Sequence, residues 1–379
     1  MQGLPSSISV FSLVRFGQSL YSYMKKSSIV IRYIQDIFLN IFSREKVVLI
    51  SESAHWAIYE ECEYIKKYCK DYISIRIAVT PIGLRNKIVH FASVGTLIKK
   101  KGVIKTHKSN TLILTWFHIG DDDGARLQYI SWINEHIKYV HTSCTITAKQ
   151  LFSHGLHKEK IVIIPIGVNT KVFHPSTLSE KEYIRNNIGI HDNSIVIGSF
   201  QKDGNGWKEG LIPKLIKGPD IFCDAVEIIA KKHRIHVVLT GPARGYVIKR
   251  LVDAGIAYSH TFLSDAESTA TYYRALDIYI IASRAEGGPK ALLESAASGV
   301  ALVTTRVGMV PDIMEDGVDC EVVSVEDTIM LAEKSIKLIL DEKYRKGLVA
   351  HAHATAHKYD IANTTQQYYH KIYKKLLLS

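Results

Sequence analysis

Short apolar runs rich in Val, Ile and Leu alternate along this chain with longer stretches whose apolar positions recur at helical spacing. Lys46-Val-Val-Leu-Ile-Ser51 reads as a buried strand, and Trp56–Cys69 follows with helical spacing. Ile73–Val79, Lys87–Ala92, Thr111–Trp116, Tyr139–Thr142 and Lys160–Ile164 are further strand candidates, with a helix over Thr145–His154. Pro165-Ile-Gly-Val-Asn169 punctuates this set. Phe173-His-Pro175 and the polar stretch to about Asp192 read as a connection between domains.

A second alternating set begins at Ser194-Ile-Val-Ile-Gly-Ser-Phe200. It continues through a helix from Gly218 to about Lys232, a strand at His236–Thr240, a helix at Gly245–Ala254 and a strand at Thr261–Leu263. Helical spacing returns at Glu267–Ala275, then strand-like runs at Ala275–Ala282 and Val300–Thr305 flank a Gly-Gly-Pro turn and a helix. Ala332–Leu340 is a later helix. Tyr359–Leu378 is a final amphipathic one, with Tyr368, Tyr369, Ile372 and Leu376 on one side. Two such sets imply an α/β fold of two doubly wound, Rossmann-like domains facing each other across a cleft. The boundaries are residues 46–175 for the first domain, 193–340 for the second and 341–379 for C-terminal helices, the last expected to pack back toward the first domain. Residues 1–45 form a basic amphipathic prefix.

Composition narrows the class. The 379 residues are 46% apolar, a globular share, and too many for one ordinary core. Residues 1–120 hold 17 Lys/Arg against 7 Asp/Glu, so nearly all of the +11 net charge lies there. An anionic membrane surface or an acidic acceptor would suit that excess. No helix-turn-helix, zinc-finger or aromatic RNA-binding signature accompanies it, which argues against nucleic acid as a partner. No run of apolar residues is long enough to span a bilayer. Val10–Phe42 alternates Phe, Leu, Tyr and Ile with basic residues; this suits either an interfacial segment or an extra helix packed on the first domain. Five scattered cysteines show no metal-ligand or redox spacing and suit reduced thiols in the cytoplasm.

Chemistry concentrates in Ser283-Arg-Ala-Glu286-Gly-Gly-Pro-Lys290-Ala-Leu-Leu-Glu294. Gly287 and Gly288 allow close backbone approach, Pro289 suits a helix start, and the helix N-terminus favours an anion such as a diphosphate. Glu286 and Glu294 would then touch different parts of one extended ligand, Glu294 as partner to a ribose diol. The alternative is two structural or solvated acids. Upstream, the loop from Ser199 to Gly218 carries Lys202, Lys214 and Lys217, which could neutralise a diphosphate, though its spacing is not a Walker loop. His118 ends a strand on the cleft side and could donate to a sugar. Asp121–Asp123 lacks the alternate spacing of a metal site and reads as a solvated turn.

These motifs, in this order, resemble a retaining glycosyltransferase of the GT-B fold, in the large family-four (group 1) class. The resemblance rests on Glu286-Gly-Gly-Pro-Lys-Ala-Leu-Leu-Glu294 with Ala296-Ala-Ser-Gly299, Thr304-Thr-Arg-Val-Gly308 with Pro311-Asp-Ile-Met-Glu-Asp-Gly317, Ile163-Ile-Pro-Ile-Gly-Val-Asn169 with Phe173-His-Pro175, and Lys217-Gly-Pro-Asp220. It implies a nucleotide-sugar donor on the second domain and a glycan or lipid-linked acceptor on the first. It also implies Glu286, His118 and Lys217 as catalytic groups, with Glu294, Gly287, Gly288, Pro289 and Lys290 binding donor and Lys202 or Lys214 as the companion cation. Neither metal nor cofactor is implied beyond the donor itself. The expected setting is surface polysaccharide synthesis, in the cytoplasm or peripheral on the inner membrane face. The family's usual glycine-rich first loop is replaced here by Ile50-Ser-Glu-Ser-Ala-His-Trp56, and its later Gly-Gly by Gly308-Met309. A catalytically silent subunit of the same fold that binds a membrane or partner is the competing reading.

Overall fold

The computed structural model describes residues 29–53, 57–120, 123–206, 208–263, 265 and 267–378. Each alternating set becomes one six-stranded, wholly parallel sheet. The first comprises β1 (Val47–Ile50), β2 (Ile75–Ala78), β3 (Ile88–Phe91), β6 (Thr111–Thr115), β7 (Ile137–Thr142) and β8 (Ile161–Ile163), in the order β2-β1-β3-β6-β7-β8. A small hairpin of β4 (Ile98–Lys99) and β5 (Gly102–Val103) stands apart. The second sheet comprises β9 (Ile195–Ser199), β10 (Ile235–Thr240), β11 (Ala257–Thr261), β12 (Ile278–Ile281), β13 (Ala301–Thr305) and β14 (Glu321–Val323), in the order β11-β10-β9-β12-β13-β14. Strand order reverses between β1 and β3, and again between β9 and β12. Those are the crevices where doubly wound sheets take ligands.

Burial explains why these runs became strands. Val47–Ile50, Ile278–Ile281 and Ala301–Thr305 are buried at every position, as parallel strands covered on both faces must be. β11 is misplaced: it starts at Ala257, four residues before the predicted strand, and like β8 it is an edge strand with no buried residue. Where β8 still reads Ile-Val-Ile, β11 reads Ala-Tyr-Ser-His-Thr and carries no apolar run.

The polar stretch after Pro175 is not a bare connection. It holds a helix, Leu178–Asn187, opened by a capping box between Thr177 and Glu180. Only Ile184 of that helix is buried, so no apolar stripe announced it. It is held by charge instead. Lys181 and Arg185 both pair with Asp277, at 2.8 and 2.7 Å, and also donate to the Leu276 and Ala275 carbonyls. Asp277 accepts from the Val196 amide at 2.9 Å as well, so one carboxylate ties the linker helix to the first strand of the second sheet.

After a helix at Glu342–Lys358, the chain crosses back to the first domain. The crossing is pinned at Val168, whose amide donates to Tyr359 O and whose carbonyl accepts from Ile361 N. A Cβ on Gly167 would lie 2.0 Å from Thr364 Oγ1, so only glycine admits this approach. Helix Ile361–Tyr368 then packs on Ala57–Cys69, and Tyr368, Ile372 and Tyr373 join Val47, Leu49 and Ile113 in one core. Beneath it runs a buried polar chain: Tyr373 hydroxyl to His90 (2.7 Å), His90 to Thr115 (2.8 Å), Thr115 to His141 (3.1 Å), and His141 to Ile164 O (3.0 Å). Burial holds the two imidazoles far below their usual value, at about 3 for His90 and about 4 for His141, so both are neutral.

Burial alone would raise the Asp277 carboxyl, but Lys181 and Arg185 outweigh it and hold it below its usual value. Asp277→Ala strands two cations around an emptied site. It should lower unfolding free energy by about 3 kcal/mol, measured by denaturant titration at neutral pH. The difference from the parent should shrink as pH falls and the native carboxylate is protonated.

Candidate active site

Lys217 closes a 3-10 turn, Leu215–Lys217, and the next residue, Gly218, adopts a left-handed conformation (φ 62°). A Cβ there would strike the Ala282 carbonyl at 1.9 Å, so the lysine turn lies directly against the end of β12. Pro219 then opens helix Pro219–Ala230. Arg284 clamps the two loops together. It pairs with Asp220 at 2.7 and 2.9 Å and donates to Leu215 O, while its amide donates to Ile216 O. The outcome is an ion pair between Lys217 Nζ and Glu286 Oε1 at 2.5 Å. Ser283 donates to the same carboxylate oxygen at 2.9 Å. Burial would raise the Glu286 carboxyl, but Lys217 outweighs it and holds the group below its usual value, ionised.

His118 lies close to this pair. Burial lowers its imidazole, with Glu286 pulling the other way and Lys217 and Lys214 assisting the burial. It is therefore neutral and able to donate one hydrogen bond. Asp123 caps the loop after it, accepting from Gly120 N and from Arg126. Asp121 and Asp122 fall outside the described residues, as do Ala54 to Trp56 of the loop after β1. Among the described residues no group of three His, Cys, Asp or Glu could hold a metal ion.

Helix Lys290–Ala297 begins one residue after Pro289, which serves as its N-cap. Glu294 points to Tyr273, whose hydroxyl donates at 3.0 Å. Burial pushes its carboxyl up to about 7, only partly offset by Lys290 and by that hydroxyl. Lys290 spends its own charge across the cleft, on Glu60 of helix Ala57–Cys69 at 2.8 Å. Burial opposes its protonation, but Glu60 and then Glu294 raise it.

These groups surround one cavity of about 360 Å³, lined by Gln201, Lys217, Tyr273, Glu286, Lys290 and Glu294 among others. Gly288 and Pro289 also line it. Gly287 does something else: a Cβ on it would sit 2.2 Å from the Phe117 carbonyl, so this glycine lets the two domains touch. The structure thus gathers Lys217, Glu286, Glu294, Gly288, Pro289 and Lys290 around a single space, with His118 adjoining. Lys202 and Lys214 do not line it. In their place stands Gln201, which donates to Lys217 O at 2.8 Å and accepts from Ser283. Sequence reasoning overlooked Gln201, Arg284, Tyr273 and Glu60, because each acts through a partner remote along the chain. A larger surface hollow of about 660 Å³ lies at the amino ends of β1 and β2, beside Lys66, Lys67 and Lys70. It opens at the ends of β1 and β2 opposite their carboxyl edges, with Tyr64 in its lining.

Two parallel-sheet domains of this topology, meeting at their carboxyl edges, are a GT-B fold. Residues 210–341, within the second domain, match the profile of the glycosyl transferases group 1 family. The fold is shared with HepE of Anabaena, solved in complex with UDP-glucose: TM-score 0.71 at 14% identity, over 87% of this chain and all of that one. It is shared too with sucrose-phosphate synthase of Thermosynechococcus elongatus, at TM-score 0.60 and 15% identity over 85% of this chain and 78% of that one. By sequence the chain is 25% identical over 223 residues to the D-inositol 3-phosphate glycosyltransferase of Corynebacterium urealyticum, covering 56% of this chain and 50% of that protein. It is 25% identical over 187 residues to the lipopolysaccharide core biosynthesis mannosyltransferase LpsB of Rhizobium meliloti, covering 47% and 48%. The chain thus spans about half the length of the curated relatives it matches.

The raised Glu294 carboxyl has a sign that can be measured. The native state keeps a proton that the unfolded chain loses above its ordinary carboxyl range, so native stability falls as pH rises toward 7. Glu294→Gln should therefore stabilise the protein at about pH 8, by on the order of 2 kcal/mol, and do little at about pH 4. Thermal melts at both pH values check this; equal shifts at the two would refute it.

Proposed function

We propose that this chain is a retaining, metal-independent glycosyltransferase. It moves a sugar from a nucleoside-diphosphate sugar to a glycan or lipid-linked acceptor at the inner membrane face, in surface polysaccharide synthesis. The observation that carries the reading is the single cavity holding the Lys217–Glu286 pair, the Tyr273–Glu294 pair and the start of helix Lys290–Ala297. Its parts match the three parts of such a donor. A carboxylate half-buried beside a phenol suits the ribose hydroxyls. A helix N-terminus with Lys217 suits the diphosphate and the charge that grows on it as a leaving group. Glu286, already ionised, and neutral His118 suit the hydroxyls of the transferred sugar.

For a retaining course, what Glu286 is bound to bears on the route. Its Oε1 is occupied by Lys217 and Ser283, which suits orienting the donor better than forming a covalent sugar-enzyme intermediate. The incoming hydroxyl would then meet the sugar on the face the diphosphate leaves, with the diphosphate oxygen taking its proton. Catalysis in such a site comes from placement and from fixed positive charge. HepE, solved with UDP-glucose, and the sugar transferases among the sequence relatives agree with this class of donor.

Uridine, guanosine and adenosine diphosphates, screened by thermal shift, should include one that raises the melting temperature by mass action. With the matching sugar nucleotide, Glu286→Ala and Lys217→Ala should each cut transfer by about a hundredfold or more. The product's anomeric configuration by NMR should equal the donor's. No response to any diphosphate, or full transfer by Glu286→Ala, would defeat the proposal.

A further inference from the structure

Residues 29–41 form a helix ahead of β1 that is mounted inside out. Its polar side faces the first domain. Asp36 accepts from Arg76 at 2.7 Å and from the Val79 amide at 2.8 Å. Asn40 donates to Thr80 O and Ile82 O and accepts from Arg76, each at 2.8 Å. Arg32 reaches Ser53 O at 3.3 Å. The backbone approach is close as well, since a Cβ on Gly83 would lie 2.9 Å from Ile37 O.

At 100° per residue, Val30, Ile31, Ile34, Phe38, Ile41 and Phe42 all lie on the side opposite Asp36. They are exposed, Ile34 by 60%, Phe38 by 62% and Phe42 by 67%. Phe38 and Phe42 lie against each other at a tilt of 57°, with ring centroids 5.1 Å apart. A surface helix of a globular protein turns such a stripe inward. Contiguous apolar surface rimmed by charge marks an interaction face.

Charge identifies the partner. Exposed Arg44 and Lys46 follow the helix directly, and exposed Arg85 lies two residues past the Gly83 that meets it. Glu45, between the first two, is half-buried and accepts from Ser43, while the helix's one acid is turned inward and neutralised by Arg76. Residues 1–28 add Arg15, Lys25 and Lys26 with no Asp or Glu. A second copy docked face to face would bring the two cationic rims together, and covering by residues 1–28 would add cations to the same rim. An anionic bilayer complements both the apolar stripe and its border.

We propose that the outward face of residues 29–42 beds into the boundary between headgroups and acyl chains of an anionic bilayer, with Asp36, Asn40 and Arg76 bracing the helix against the first domain. Arg32 contacts Ser53, just past the carboxyl end of β1, so the membrane plane borders the acceptor side of the cleft. The inference stands independently of sugar transfer and is read without any donor.

The test is flotation of the full chain with phosphatidylcholine vesicles, with and without phosphatidylglycerol. Wild type should bind the anionic vesicles and lose binding several-fold in high salt. The double substitution Phe38→Asp with Phe42→Asp should weaken binding at least about tenfold while leaving the thermal melt unchanged. Phe152→Asp, at an exposed site outside this face, should bind as wild type does. A Phe38→Cys protein carrying a polarity-sensitive fluorophore reads insertion directly and should shift to the blue on anionic vesicles. Absence of wild-type binding overturns the proposal. So does equal binding by the double variant, an unshifted fluorophore, or loss of a dimer in light scattering with vesicle binding intact.

Discussion

A lysine and a glutamate 2.5 Å apart, both largely withdrawn from water, are a poor investment in stability, because desolvating two ions offsets most of their attraction. Around this pair, however, the second domain arranges much of its special geometry. The left-handed Gly218 presses the lysine turn onto Ala282, Arg284 and Asp220 lock that turn to the loop after β12, and Ser283 supplies the remaining hydrogen bond. So many constraints on one pair make sense if its worth lies in holding fixed charge where charge must be stabilised later, without reorganisation.

The two domains meet beside this pair. Gly287 admits the Phe117 carbonyl, Lys290 reaches Glu60, and Tyr64 and Asn169 both donate to Glu267. Asp312 accepts from the Thr145 amide and hydroxyl on the same side. These polar contacts flank an apolar seam in which Cys144, Ile166 and Val168 of the first domain join Leu292, Met309 and Val310 of the second in one buried cluster. The returning helix differs: Tyr368, Ile372 and Tyr373 are sunk in the first domain's core. Residues 361–378 are thus bolted to the first domain, while the domains meet at the cleft through both polar contacts and a shared apolar cluster.

Legibility followed the source of the signal. Strands buried on both faces announced themselves, from Val47–Ile50 to Ala301–Thr305, because burial forces the apolar run. The edge strand Ala257–Thr261 and the helix Leu178–Asn187 were misplaced or overlooked, since neither presents an apolar face and the helix is held by Asp277, some ninety positions away. In the site, Glu286, Glu294 and Lys217 could be named from turn chemistry and family motifs. Gln201, Tyr273, Arg284 and Glu60 could not, because each matters only through a contact the fold creates. Gly287 was legible as an exceptional position, but what required it was the partner domain's carbonyl. Of the amphipathic prefix, residues 1–28 lie outside the described residues. Residues 29–42 were legible as amphipathic, but which side faced the protein was not, because hydrophobicity alone would have put the wrong one inward.

Buried charge separates supporting parts from working ones. Asp36 and Asp277 each have a full set of donors and cationic partners, and each holds an element in place. Glu294 is half-buried with one phenol hydroxyl, and the cation nearest it is already engaged by Glu60. Its carboxyl rises toward neutrality for that reason. A group left short of partners is costly unless something arrives to complete it. It lines the cavity, where a ligand diol could donate the hydrogen bonds the protein withholds. By the same logic the six apolar side chains opposite Asp36 are incomplete in water, and a fold that satisfies every polar group on the other side of that helix leaves their completion to a surface outside the protein.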